Sequence, residues 1–457
     1  MKPNRKSKNY SHLFERITTV YIALLLSVFL FYCGVRGYQE ILSAKAQIFY
    51  LICGGYVLIC FALALEGIII GEFKLPSMGT ALHRVSWFQT FVALYLIFTW
   101  LSALFSPYRS ATILGVSRCE GALTITIYGL SCLLVSRFGR LDQRLFYLLL
   151  VSSITFSFLC ILQLHGWNPF YLYPEGYSYA GAYVDYAGAY LGTLGNVDIV
   201  AAFLAMEIPI LVGAMVKMNG KNRMLVIVPL FLAMYVLLKM SVLAGIVGAV
   251  CGIVLSLPVL LPLSKQRRIV AWCALGVAAV IWVAFLYMMD CGTGMLHEAH
   301  ELLHGNIDPN FGSGRLHIWT EVLRQVPGQL WFGSGPDTML LTEITSFSRY
   351  DSLHDINIVS KIDVAHNEYL NVLFHQGVFA LISYLALLGL TIRKWIADGP
   401  SNSALGILGA GAAGYCIQAF FGFSMCITAP LFWLLLGLIN GAAYNVNGGI
   451  NNAKKID

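Results

Sequence analysis

Apolar runs of about twenty residues recur along the whole of this 457-residue chain, and they fix its fold class. The hydrocarbon core of a bilayer is ~30 Å thick, which an α-helix covers with about 20 residues at 1.5 Å each. Runs of that kind occupy Ile17–Val35, Ile48–Ile70, Phe88–Phe105, Cys119–Ser136, Phe146–Leu164 and Ile199–Val216. They continue with Met224–Leu238, Val242–Leu263, Ile269–Met289, Leu370–Ile392, Ala404–Gly422 and Ile427–Ala443. Only 11% of the residues are charged, against roughly 25% in soluble domains, and the mean hydropathy is +0.73. The expectation is an all-α polytopic membrane protein with about twelve transmembrane helices. A soluble enzyme, a secreted disulfide scaffold and a disordered tail are excluded.

The net charge of +6 reads as a topology signal, not a nucleic-acid one. Basic loops stay in the cytoplasm. Of the 29 Lys and Arg residues, 20 flank one set of span ends, in clusters such as Arg137, Arg140 and Arg144 or Lys265, Arg267 and Arg268. Nine lie on the other side, although its loops are longer. Both termini are therefore expected in the cytoplasm of a multi-pass protein of the cell membrane. The first run follows a basic start, as a signal peptide does, but no small-residue cleavage site follows it, so an uncleaved span is expected. Most of the eleven cysteines lie inside spans and none forms a CxxC pair, so they read as small apolar side chains.

Two loops on the less basic side stand apart. His165–Asp198 has no Lys or Arg and carries a short duplication, Tyr179-Ala-Gly-Ala-Tyr183 and Tyr186-Ala-Gly-Ala-Tyr190. Its rings suit an aromatic belt at headgroup level or a surface for a sugar or lipid, with Tyr183 and Tyr190 as the binding residues of the second reading. Asp290–Glu368 is long for a segment without function and holds six of the ten histidines. Any reaction centre is expected there.

Within that loop, His300-Glu-Leu-Leu-His304 matches HExxH, in which two histidines share zinc and the Glu is a base. Met295, Leu296, Ala299, Leu302 and Leu303 instead fall on one face of a helix, which would lie on the membrane with the His and Glu side chains wet. Phe311-Gly-Ser-Gly314 and Phe332-Gly-Ser-Gly335 lack the Lys and Ser/Thr of a phosphate loop and read as turns. The first sets Arg315 at the start of a helix through His317, Trp319 and Val322. No cytoplasmic segment is large enough for a nucleotide sugar, so a glycosyl donor would arrive as a lipid.

The loop meets the tenth span in Val364-Ala-His366-Asn-Glu-Tyr-Leu-Asn-Val-Leu-Phe-His375-Gln-Gly377. This resembles the signature of the O-antigen ligase and polysaccharide polymerase superfamily: a His-Asn pair, an apolar helix, then Gly. Arg118-Cys-Glu-Gly121, Leu191-Gly-Thr-Leu-Gly-Asn196, Arg315 with Trp319, and Phe332-Gly-Ser-Gly-Pro336 agree with the family in order and spacing. So does the large outer loop between the ninth and tenth spans. The resemblance implies metal-independent, inverting transfer of a glycan from a polyprenyl-pyrophosphate carrier to a hydroxyl of a glycan, lipid or protein acceptor. The site would be extracytoplasmic, with no cofactor and no nucleic acid.

Arg offers phosphate oxygens a fixed, permanently charged fork, and His is the natural base near neutral pH. His366 is therefore the expected base or acceptor-orienting residue, and Arg315 the pyrophosphate clamp. Arg118, Asn367, Trp319 and Lys239 are expected substrate contacts. On a helix running through both, His375 would face away from His366, and it reads as packing. The family's Ser-Arg pair opening the eighth span is Ser241-Val242 here, which leaves Lys239, Arg118 or Arg109 to supply a second cation. The alternatives are a transporter or flippase of lipid-linked glycans and, on His300–His304 alone, a membrane zinc protease. The chain thus divides into spans one to nine (1–289), the large loop (290–368) and spans ten to twelve (369–457).

Overall fold

The computed structural model describes residues 10–73, 85–173, 190–290, 292–344, 347–351 and 356–441. Backbone groups have no water to bond in a bilayer, and the chain meets that demand with helices. They are α1 (Tyr10–Phe29), α2 (Gly37–Ile69), α3 (Trp87–Phe105), α4 (Ala122–Phe138), α5 (Gln143–Leu164), α6 (Val197–Lys217) and α7 (Gly220–Met240). Next come α8 (Leu243–Leu260), α9 (Lys265–Met288), the short α10 (Met295–Leu303) and α11 (Arg315–Gln325), then α12 (Glu368–Asp398), α13 (Ser403–Gln418) and α14 (Ala429–Asn440). Two antiparallel hairpins join them: β1 (Tyr190–Leu191) with β2 (Gly195–Asn196), and β3 (Phe347–Asp351) with β4 (Ile356–Ser360).

A helix occupies each place where the sequence predicts a span, but the lengths differ from expectation. Among the described residues nine helices are long and apolar enough to cross a membrane, while α4 and α14 are shorter apolar helices. The 12 residues of α14 rise only ~18 Å, short of a ~30 Å core. The seventh and eighth spans are separate helices, parted at Ser241 in left-handed backbone (φ 56°). The first two helices start earlier than the apolar runs, and in α2 a charged side chain is absorbed inside the bundle. Lys45 is buried in α2, and its Nζ donates to the carbonyls of Phe29 (2.6 Å) and Leu30 (2.9 Å). Carbonyls at the end of a helix lack partners within it, and Lys45 supplies one.

The core is the trio α6, α8 and α13. Their close approach runs along Gly248 and Gly252 of α8 and Gly414 of α13: a Cβ on Gly252 would stand 2.7 Å from the Cα of Gly414. Small residues of this kind let van der Waals packing hold helices together where lipid is as apolar as the side chains. Helix α6 is 83% buried over its apolar window and α9 not at all, so α6 is the axis and α9 stands at the rim.

Helix α12 carries the loop that the site depends on. It breaks at Gly377 (φ 82°, ψ 178°), and the freed backbone groups bond to the segment before it: Ser334 N to Phe374 O (2.9 Å), Gly335 N to His375 O (2.9 Å) and Val378 N to Leu330 O (2.8 Å). A Cβ on Gly377 would collide with the carbonyl of Trp331.

Candidate functional site

Four segments far apart in sequence meet where α6, α11 and α12 begin. Asn367 caps α12, its Oδ1 accepting from the backbone of Tyr369 (3.0 Å) and Leu370 (3.1 Å). The helix therefore starts at Glu368 and His366 lies outside it, in left-handed backbone with φ 47°. That corrects the comparison of His366 and His375 on one helical wheel, which assumed a helix through both. The corner is held from both sides of Ala365: its N–H donates to Asn371 Oδ1 (2.7 Å) and its carbonyl accepts from Trp319 Nε1 (2.9 Å). The Glu368 carboxylate accepts hydrogen bonds from the hydroxyls of Tyr384 and Tyr415, fixing the first turn to α13 and to the rest of α12.

Charge gathers around the His366 ring. Arg315 opens α11 after Gly314 (φ 84°). Its Nη1 donates to Gly312 O (3.0 Å), its Nη2 stands 3.9 Å from Asp198 Oδ1 in the first turn of α6, and its Nε is buried without a partner. Arg118, in the loop before α4, donates from Nε to Asp363 Oδ2 (2.6 Å) and lies over the Phe423 ring, 5.1 Å from its centre. The His366 ring meets Phe423 edge to face, also with centres 5.1 Å apart. Burial pushes the imidazole down to about 4; Arg315 and Arg118 push the same way, and Asp198 and Asp363 oppose them. The ring is therefore neutral at pH 7. In the same loop Glu120 accepts from the Tyr128 hydroxyl (2.7 Å), and burial lifts its carboxyl well above the usual range.

Of the residues the sequence points to, Arg118, Arg315, His366, Asn367 and Trp319 come together. Lys239 does not join them: it is exposed near the end of α7, and among the described residues it makes no hydrogen bond or ion pair. Tyr190 packs against Tyr38, with ring centres 3.9 Å apart, in a cluster with Leu172 and Tyr173. Tyr183 lies outside the described residues. His375 is buried with its Nδ1 on Gly335 O (3.0 Å).

Sequence reasoning missed Asp198, Asp363 and Phe423, which complete the cluster, and Asp337 behind it. Asp198 had a faint signal, since it follows the Gly-Asn196 turn at a helix start; the others had none.

The predicted amphipathic helix is α10. His300 Nδ1 bonds Leu286 O (2.8 Å) and closes the end of α9, while His304 stacks on Tyr287 with centres 4.2 Å apart. Glu298 accepts from Gly312 N (2.9 Å), which braces the turn before Arg315. Among the described residues no three His, Cys, Asp or Glu side chains are grouped closely enough to hold a metal ion.

A family model described as O-antigen ligase matches residues 201–385, from the first turns of α6 to the middle of α12. Arg315, Trp319 and His366 fall inside that stretch, and Arg118 and Asp198 before it. No curated protein matches the chain. With helices long and apolar enough for several membrane crossings, and this match across the loop that bears Arg315 and His366, the chain carries an O-antigen ligase domain over residues 201–385 and in that stretch is similar to a family of glycosyl-transferring membrane proteins.

Proposed function

We propose that the chain moves a glycan from a polyprenyl-pyrophosphate carrier to an acceptor hydroxyl at the extracytoplasmic face, with helices α1–α9 and α12–α14 in the membrane and both termini cytoplasmic. One observation carries this reading: a neutral imidazole flanked by two guanidinium groups, each paired with an aspartate. A base must start unprotonated, and a pyrophosphate leaving group needs cations already in position.

The acceptor oxygen attacks the anomeric carbon as the bond from that carbon to the phosphate oxygen breaks. The hydroxyl proton passes to His366, and polyprenyl pyrophosphate leaves with the electron pair of the broken bond. Attack from the face opposite the leaving group inverts the anomeric centre. Arg315, with its unpartnered Nε and its long 3.9 Å contact to Asp198, takes up the charge that develops on the pyrophosphate. Arg118 serves as the second cation in place of the one absent at Val242. Trp319 and Asn367 shape the chain around His366. Trp167 and Tyr171, both exposed, offer ring surface to the glycan.

The test uses the purified protein in lipid nanodiscs with a polyprenyl-pyrophosphate glycan and an acceptor. Glycosylated acceptor and free polyprenyl pyrophosphate should appear in equal amounts, and both should vanish in His366→Ala and Arg315→Ala variants that insert normally. Arg315→Lys should fail nearly as badly, since a point charge does not reproduce a planar fork. Transfer that persists in His366→Ala overturns the assignment of the base.

A further inference from the structure

Arg118 sits in irregular backbone, where its own segment gives its backbone N–H no partner. The loop from Ala111 to Gly121 has no regular structure, and Gly121, which precedes α4, offers no side-chain cap. Ala122 N and Leu123 N close the loop on the carbonyls of Thr112 (2.8 Å) and Ile113 (3.1 Å), and the backbone between is held from 220 residues away. The buried carboxylate of Asp337 accepts from the backbone of Ser117 (3.1 Å), Arg118 (2.9 Å) and Glu120 (3.3 Å) on Oδ2, and from Ser117 Oγ (2.8 Å) on Oδ1. The Asp337 carbonyl also accepts from Val116 N (3.2 Å). Successive N–H groups curled round one oxygen form an anion nest. Here the anion is part of the protein.

The two sides are fitted to each other. Asp337 itself is in left-handed backbone (φ 55°), which Asp tolerates better than most residues. Gly115 (φ 89°) faces it so closely that any Cβ there would run into the Asp337 side chain. Asp337 also closes the stretch that is bonded to α12 at Phe374 and His375. The route therefore runs from α12, which begins two residues after His366, through residues 334–337 to the backbone of Arg118. With Nε on Asp363, Arg118 is fixed at both ends of its side chain. Among the described residues its two Nη groups make no hydrogen bond and remain for a ligand.

We propose that Asp337 is a positioning residue for Arg118: by fixing the 117–120 backbone it sets the guanidinium that receives the diphosphate of the donor. The proposal rests on the reading of Arg118 as a pyrophosphate contact. It predicts that Asp337 matters through Arg118 and little otherwise.

The experiment is a double-mutant cycle read by calorimetric binding of inorganic pyrophosphate to the full-length protein in nanodiscs. Asp337→Ala should weaken binding about tenfold in the Arg118 protein and less than about twofold when Arg118→Ala is already present. Asp337→Asn is the second variant, for the case that the alanine form does not fold. Its amide oxygen can keep the three backbone bonds while its amide nitrogen meets Ser117 Oγ, so binding should stay within about threefold of the unmodified protein. Equal losses for Asp337→Ala with and without Arg118, or a loss in Asp337→Asn as large as in Asp337→Ala, overturns the proposal alone. Absence of pyrophosphate binding by the unmodified protein overturns both the proposal and the reading beneath it.

Discussion

The indole Nε1 of Trp319 donates a 2.9 Å hydrogen bond to the carbonyl of Ala365. Trp319 is one turn along α11 from Arg315, and Ala365 immediately precedes His366. The bond therefore ties the cation and the base into one unit even though they lie on different segments. Trp319→Phe would keep the ring that meets Phe420 edge to face and lose only this bond. We expect Trp319→Phe to lower the transfer rate about tenfold, equivalent to about 1.4 kcal/mol, and to cost about 1–3 kcal/mol of stability because the buried Ala365 carbonyl loses its partner. A rate within twofold of the unmodified protein would show that the bond does not set the corner.

The pH dependence follows from the groups facing His366. Burial, Arg315 and Arg118 hold the free imidazole down to about 4 against the pull of Asp198 and Asp363. The base is thus already deprotonated well below neutrality, and kcat/KM, which reports the free enzyme, should stay level as pH falls from 7 to about 5 and drop only below that. Bound pyrophosphate brings negative charge beside both arginines and favours the imidazolium. The acid limb of kcat should therefore lie at higher pH than that of kcat/KM. A kcat/KM profile that halves near pH 6.5, the ordinary histidine value, contradicts the described surroundings of the ring.

Much of this arrangement is legible in the sequence, and the reasons for the rest are specific. Helix positions could be read because lipid demands long apolar runs, and Arg118, Arg315 and His366 because they sit in motifs with fixed neighbours. Asp198, Asp363 and Asp337 could not: a single Asp in a polar loop looks the same whether it is solvated or pairs with a residue 220 positions away. Lys45 misleads for a similar reason, since a lysine near a span end reads as a loop charge until the carbonyls of Phe29 and Leu30 are placed beside it. The helix start at Glu368 was readable. Asn is among the best residues for closing a helix N-terminus, and weighing Asn367 that way removes His366 from the helix.

Gly377 provides a test of how the large loop is held. A side chain there would need the left-handed backbone that L residues avoid and would meet the carbonyl of Trp331. Gly377→Ala should destabilise the protein by about 1–3 kcal/mol and lower activity further by loosening residues 330–335. Limited proteolysis should show cleavage within 330–345 before any in α6. A variant that is as stable and active as the unmodified protein would mean the break in α12 is incidental.

Orientation can be checked by cysteine labelling from outside the cell in a background without native cysteines. Tyr171, 91% exposed after α5, and Ser401, exposed between α12 and α13, lie at opposite ends of the bundle under the proposed topology. Tyr171→Cys should react with a membrane-impermeant maleimide and Ser401→Cys should not. The reverse pattern inverts the topology and places the site in the cytoplasm.

Metal separates the transferase from the protease that His300-Glu-Leu-Leu-His304 suggests. In a zinc protease those two histidines would be ligands, Glu301 would activate the metal-bound water, and a chelator would stop the reaction. In the arrangement described here His300 closes the end of α9 on Leu286, His304 stacks on Tyr287 and Glu301 accepts from Asn306 Nδ2 (2.8 Å). These contacts hold α10 against the end of α9, and the proposed mechanism gives them no part in moving the glycan. Glycan transfer should therefore survive EDTA. The His300→Ala, His304→Ala double variant should retain at least about a third of the rate while losing about 1 kcal/mol of stability for each helix-end hydrogen bond removed. Zinc found in stoichiometric amount in the purified protein, and lost together with activity in that double variant, would return the reaction to α10 and end the transferase mechanism as drawn.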